Sequence, residues 1–173
     1  MDIDFKKQLI EKKAAILKKW FDAVADTYPD NTSSFLKKQK ARFANPVGYN
    51  LAEGLEGLFD ALLQGLIPDT VSAFLDSIVR IRAIQDFAPS EALAFIFQVK
   101  KIVRQELGAE FLKQQRMTEE LAAFDSAVDD LALFSFDIYM KCREKIYELK
   151  ANEARNMTFR LLQQAKLIVD DQD

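Results

Sequence analysis

The residues best placed to do chemistry are an arginine and a glutamine on a helical face that should be apolar. At 3.6 residues per turn, the segment from 71 to 81 forms one apolar arc, and Arg82 and Gln85 fall inside it. A buried guanidinium needs partners, because an unpaired buried charge is very costly. Asp137, the one acid within the apolar stretch "LALFSFDIYM", is a candidate partner, and Asp129 is another.

Three roles for this pair of residues follow from the sequence. In the first, Arg82 pairs with Asp137 or Asp129, Gln85 completes the network, and two helices are held in register. In the second, Arg82 extends to the protein surface over its aliphatic stem. In the third, the cluster binds a small polar or anionic ligand beside phenylalanine-rich walls.

The chain contains no histidine, and this restricts its chemistry more than any other feature of its composition. The commonest general base, haem ligand and transition-metal ligand is missing. A carboxylate- or lysine-based enzyme is not excluded, but no residue spacing indicates one. The single cysteine, Cys142, cannot form an internal disulfide, and a place in the core or an interface suits it better than redox sensing. We predict no catalytic site, no metal and no cofactor.

Size and composition predict a folded protein, and a cytoplasmic location is expected because the sequence has no apolar core of signal-peptide length, no bilayer-spanning run and no pair of cysteines. Its 173 residues are 49% hydrophobic and 29% charged, which is typical of one globular domain. The net charge of -3 gives no general attraction to nucleic acid or to anionic membranes. The basic stretch "KKQKAR", Lys37 to Arg42, is either a solvated helix face or a docking patch for an acidic partner. No apolar run approaches the roughly 20 residues that span a bilayer, so we expect no membrane insertion.

Helical periodicity runs through almost the whole chain and predicts an all-α fold. Asn45, Pro68 and Pro89 suit helix starts, and Gly65 and Gly108 suit helix ends. The predicted helices cover about 5 to 27, 35 to 43, 46 to 64, 68 to 87, 89 to 107 and 118 to 169, with a loop at 28–34.

The last predicted helix is unusually long, because neither proline nor glycine occurs from Thr118 to about Val169. Roughly 50 helical residues extend about 75 Å. The first half is apolar on every side, as in a helix that crosses a core. The second half carries a narrow stripe typical of a coiled-coil seam: Ala154, Met157, Leu161, Ala165 and Ile168. We predict a globular domain over 1–150, and a continuing helix over 151–173 that dimerises or docks on a partner; a tail that folds back is the alternative.

Three sequence blocks carry a family resemblance. "FANPVG", "IVRIRAIQDFAPSEALAF" and "DDLALFSFDIYMKCREKIYELKANEARN" occur in the order found in the RsbRD-like N-terminal domain of RsbR-type stressosome co-antagonists. The likeness extends from about Trp20 to Asn156. It implies a dimeric, globin-like helical bundle without haem, which acts as a sensor upstream of a STAS output domain and is joined to it by a C-terminal helix. It implies no established catalytic or ligand residues.

Nothing in the chain resembles a STAS domain, so the resemblance implies output through a STAS-domain protein or another signalling protein. The leading prediction is a non-enzymatic sensor or regulatory module that forms a homodimer and signals through its C-terminal helix. The alternative is a small-molecule carrier in which some of the fourteen phenylalanines line a pocket.

Overall fold

Helix accounts for all regular structure in the computed structural model, which describes residues 5–38, 43–85, 87–112, 115–165 and 167. Within these ranges no strand occurs, so the predicted all-α class is confirmed. In chain order the helices are α1 (Phe5–Glu11), α2 (Lys13–Ala25), α3 (Asp30–Lys38), α4 (Pro46–Gln64), α5 (Pro68–Ile84), α6 (Pro89–Leu107), α7 (Ala109–Leu112) and α8 (Gln115–Gln164).

The N-terminal region differs from the prediction in two places. The helix expected over 5–27 is divided at Lys12, although main-chain hydrogen bonds from Lys12 N to Gln8 O and from Ile16 N to Lys12 O bridge the division. The loop expected at 28–34 is wrong in its second half, because α3 already begins at Asp30. An acid in the first turn and two lysines in the last turn suit the dipole of α3. Residues 39–42 of the expected short helix lie outside the described residues.

The predicted helix boundaries around α4 and α6 are confirmed. The side chain of Asn45 accepts a hydrogen bond from Gly48 N at 2.8 Å, which caps the start of α4. Gly65 and Gly108 follow α4 and α6 with φ angles of 105° and 79°, a region that favours glycine. The bends that bring successive helices together are therefore set by local sequence.

The core lies between α2, α4, α5, α6 and the first half of α8. Trp20 of α2 is fully buried, and its Nε1 donates to Phe95 O of α6 at 2.7 Å. Helices α4 and α5 approach so closely that a Cβ placed on Gly57 would lie 2.4 Å from Cζ of Phe74. Gly54 and Gly57 therefore serve the close packing of α4 against α5.

The long C-terminal helix is also confirmed, since α8 contains 50 residues. At about 1.5 Å per residue it extends about 75 Å. Its first half packs against α5 and α6. Every side chain from Tyr147 to Leu161 is exposed, so the second half leaves the body of the protein after Ile146.

Candidate functional site

Arg82 is buried at the point where α5 turns into α6. It is 1% exposed, and its three donor nitrogens bind three oxygens. Nε donates to Ala92 O, Nη2 to Glu91 O and Nη1 to Oγ1 of Thr27, each at 3.0 Å. One guanidinium thereby joins the end of α5, the first turns of α6 and the residues that follow α2. We call the described residues 82–85 and 87–92 the α5–α6 corner.

Aromatic rings complete the surroundings of this guanidinium. Its carbon lies 4.2 Å from the ring centre of Phe87, 5.4 Å from that of Tyr28 and 5.9 Å from that of Phe95. Burial lowers the pKa of Arg82 from its ordinary value, and Tyr28 and Glu91 oppose this effect. Arginine nevertheless stays protonated at neutral pH. The corner therefore holds a buried positive charge with carbonyl dipoles, a hydroxyl and π faces.

The predicted network of Arg82, Gln85, Asp137 and Asp129 is wrong. Asp137 is exposed, because a position two residues from the buried Ser135 and Tyr139 falls on the opposite side of α8. Asp129 instead binds Lys100 of α6, with 2.6 Å between Oδ1 and Nζ. Gln85 is exposed at the end of α5. The surface alternative for Arg82 is wrong as well, since its side chain is buried.

Two side chains of α8 also bind the α5–α6 corner. The buried Tyr139 donates its hydroxyl to Phe87 O at 2.7 Å. Arg143 donates from Nη1 to Ala83 O at 3.1 Å, and from Nη2 to the hydroxyl of Tyr147 at 2.8 Å. Tyr147 is the first residue of the segment of α8, residues 147–161, in which every side chain is exposed. Direct polar contacts therefore run from the corner to the place where α8 leaves the body.

An exposed apolar line follows one side of α8. Its members recur every seven residues, the period of a coiled-coil a position, and we call them the heptad face: Leu133, Met140, Tyr147, Ala154 and Leu161. Leu133 is 68% exposed, Met140 37%, Tyr147 57% and Leu161 62%. The heptad face begins on the body and continues onto the exposed half of the helix. A contiguous exposed apolar surface of this kind is typical of an interaction site.

An apolar groove lies beside the first part of the heptad face, between α6 and α8. Its volume is about 610 Å³. Phe97, Leu133 and Phe136 line it, and each of these side chains is at least 46% exposed. The ion pair between Lys100 and Asp129 borders the groove on its polar side.

The predicted seam lies partly on this face. Ala154, Met157 and Leu161 are exposed on α8, Ala165 follows the end of α8 and is exposed, and Ile168 lies outside the described residues. Their role in an interface stays a prediction. Sequence reasoning missed Leu133, Met140 and Tyr147, although counting back in sevens from Ala154 would have found them. It also missed Tyr139 and Arg143 as ligands of the corner, because their acceptors are main-chain oxygens that no sequence pattern marks.

A second cleft lies between α2, α3 and α4. It has a volume of about 410 Å³, with Phe21 and Tyr49 among its aromatic walls and Leu36 and Leu55 in its floor. Lys37, from the predicted basic cluster, also lines it and binds Asp26 with 2.5 Å between Nζ and Oδ1. Arg82 lines neither this cleft nor the groove, although Pro89 and Ser90 of the α5–α6 corner line the groove, so neither cavity supports a ligand bound to the Arg82 guanidinium.

Neither a cluster of metal-binding side chains nor a membrane-spanning helix occurs among the described residues. Nowhere in them do three or more acidic or cysteine side chains gather as a metal site would require. Among the helices in the same ranges, none has the length and apolarity needed to cross a bilayer. Burial raises the pKa of Cys142, which is half-buried on α8.

The family is decided by comparison with known sequences. The model of the RsbT co-antagonist protein rsbRD N-terminal domain matches residues 14–154. The chain belongs to this family. The match includes the α5–α6 corner, the groove and the heptad face as far as Ala154, so the family resemblance drawn from three short blocks is confirmed.

Two further comparisons add little about activity. An uncharacterised protein of Archaeoglobus fulgidus is 28% identical over 107 residues, which cover 60% of this chain and 66% of that protein. The aligned stretch thus spans slightly less than two thirds of the relative. No solved structure matches the chain significantly.

Proposed function

We propose that this protein is a non-enzymatic sensor or regulatory module that acts as a homodimer and passes a signal along α8. The observation that carries the proposal is the contact path at the exit of α8. Arg143 binds the α5–α6 corner through Ala83 O and also binds Tyr147 on the heptad face. A shift of the corner would therefore move a residue of the exposed apolar surface.

Membership in the rsbRD family supports the finer parts of this proposal. We propose a globin-like arrangement of the helices without haem, a cytoplasmic location, and output to a STAS-domain protein or another signalling protein. The exposed segment of α8, residues 147–161, is the element that a second copy or such a partner would bind, because its apolar side chains have no cover among the described residues.

Hydrogen exchange in the Arg82→Lys variant tests the transmission step. Lysine keeps the charge but cannot bind three oxygens in a planar fork. We expect amide exchange to change both at the corner and over 147–164. Gly57→Ala is the matched control, because it disturbs the α4–α5 packing at Phe74, about two helical turns before Arg82 on α5. If Arg82→Lys changed exchange only near the corner, or Gly57→Ala changed the tail equally, the proposal would fail.

The cleft between α2, α3 and α4 supports a second candidate function, binding of a small aromatic molecule. Phe21 and Tyr49 supply ring faces, and Lys18 and Lys37 stand at the rim. A naphthalene sulfonate probe would report such binding by fluorescence. Ala52→Trp, which fills the cleft from one wall, should abolish the signal, whereas Leu133→Asp on the groove should leave it unchanged.

A further inference from the structure

We infer that the cleft between α2, α3 and α4 binds an aromatic α-amino acid in its zwitterionic form, with Lys18 holding the carboxylate and Asp22 the ammonium group. This assignment rests on the second candidate of the proposed function, a small aromatic molecule in the same cleft, and it names the chemical class of that molecule. Three observations support it: the aromatic walls, the ion pairs that already occupy part of the rim, and the two charged side chains that have no partner.

Two walls of the cleft supply ring faces for a ligand. Phe21 belongs to α2 and Tyr49 to α4, and both side chains are half-buried. The volume of about 410 Å³ lies within the range of small-molecule sites, which is about 300–1,000 Å³. Because aromatic rings attract one another edge to face or with an offset, these walls suit a ligand that carries an aromatic ring.

Two of the charged side chains that line the cleft are already paired within the protein. Lys37 binds Asp26, with 2.5 Å between Nζ and Oδ1. Glu56 binds Lys13, with 2.9 Å between Oε1 and Nζ. A ligand that used Lys37 or Glu56 would have to compete with these partners, so neither side chain is the first choice for a ligand charge.

Lys18 and Asp22 line the same cleft and are available to a ligand. Within the described residues neither side chain makes an ion pair or a hydrogen bond, not even with the other. They lie four residues apart on α2, a spacing that places their Cβ atoms about 5–6 Å apart on one face. A lysine that precedes an acid by four residues is in the less favourable order for a helical ion pair. One cation and one anion are therefore held side by side without neutralising each other.

An α-amino acid carries the two charges that this pair requires. Its carboxylate accepts hydrogen bonds from Nζ of Lys18, its ammonium group donates to the carboxylate of Asp22, and its ring extends toward Phe21 and Tyr49. An aromatic acid without the amine would leave Asp22 beside a second carboxylate. An aromatic amine without the acid would leave Lys18 beside a second cation. Only the zwitterion satisfies both side chains, because like charges at this spacing repel.

Calorimetric titration of the full chain tests this inference with three probes that share one ring: L-phenylalanine, 3-phenylpropionate, which lacks the amine, and phenethylamine, which lacks the acid. L-phenylalanine should bind the wild-type chain most tightly. Lys18→Gln should weaken its binding about tenfold and shift the preference toward phenethylamine. Asp22→Asn should weaken it similarly and shift the preference toward 3-phenylpropionate. Lys101→Gln is the matched control, since Lys101 is exposed on α6 and lies outside the cleft.

Opposite shifts of preference in the two variants would support the inference, because a general loss of structure would weaken all three probes alike. Equal affinity for the three probes, or equal weakening by Lys101→Gln, would overturn it. If the naphthalene sulfonate bound in the cleft but L-phenylalanine gave no heat, the zwitterion would be wrong while the aromatic site of the proposed function stood. If neither compound bound, both would fail.

Discussion

The α5–α6 corner and the heptad face of α8 are opposite departures from the ordinary distribution of side chains. At the corner a charged side chain is buried, and every donor nitrogen of its guanidinium has an acceptor. Along the heptad face apolar side chains are exposed, and every side chain of α8 from Tyr147 to Leu161 is exposed. A buried polar group whose hydrogen bonds are all made stabilises the fold, whereas a contiguous exposed apolar surface is typical of a site that binds another molecule.

The largest effect should come from removing the charge at the corner. Arg82→Ala deletes three hydrogen bonds, two of them to main-chain oxygens, and leaves a cavity between three rings. We expect the free energy of unfolding to fall by about 3 kcal/mol or more. Urea unfolding followed by circular dichroism measures this. An unchanged midpoint would show that the corner does not hold the helices together.

The second prediction tests whether homodimer formation depends on the heptad face rather than on any exposed apolar residue of α8. Leu133→Asp should weaken the homodimer by at least about 30-fold, equivalent to about 2 kcal/mol, because it places a carboxylate inside the seam. Leu149→Asp is the matched control, since Leu149 is 57% exposed on another side of α8. Sedimentation equilibrium of both variants gives the two dissociation constants. If both substitutions weakened the homodimer equally, the heptad face would not be a specific interface.

The third prediction compares two tyrosines of α8. Tyr139→Phe removes a partly buried hydrogen bond to Phe87 O and should lower the free energy of unfolding by about 1 kcal/mol. Tyr147→Phe removes an exposed hydroxyl contact to Arg143 and should change it by less than about 0.5 kcal/mol. Denaturant titrations resolve this difference. A larger loss at Tyr147 would mean that the exit of α8 contributes more to stability than the corner does.

The smallest effect concerns Cys142, which lies between the two regions. Burial raises the pKa of its thiol, although Arg80 opposes the shift. The thiol should therefore react with a disulfide reagent more slowly in the native protein than in the urea-unfolded protein at pH 8. Because the folded pKa is the higher one, this group's contribution to stability is present below the unfolded pKa. It is lost as the pH rises through the folded pKa. Equal rates in the two states would contradict this placement.

Local sequence predicted the parts of the fold that depend on local chemistry. Asn45, Gly65 and Pro89 set helix boundaries through caps and backbone angles, and the absence of breakers gave α8 its length. Periodicity placed Arg82 on the apolar face of its helix but left open whether its side chain is buried or extends to the surface, and it did not give its partners. They are two carbonyls and a hydroxyl brought together only by the packing of α5, α6 and the end of α2. Asp137 and Asp129 carry the charge that could pair with Arg82, but Asp137 is exposed on the opposite side of α8 and Asp129 binds Lys100.

Whether the exposed half of α8 joins two copies is tested most directly by sedimentation of the full chain against a chain that ends at Leu149. The shorter chain keeps the body, since the last half-buried residue of the α8 body segment is Ile146. We predict a dimer for the full chain and a monomer for the shorter one. Dimers of equal strength from both chains, or monomers from both, would contradict the assignment of the heptad face as the interface.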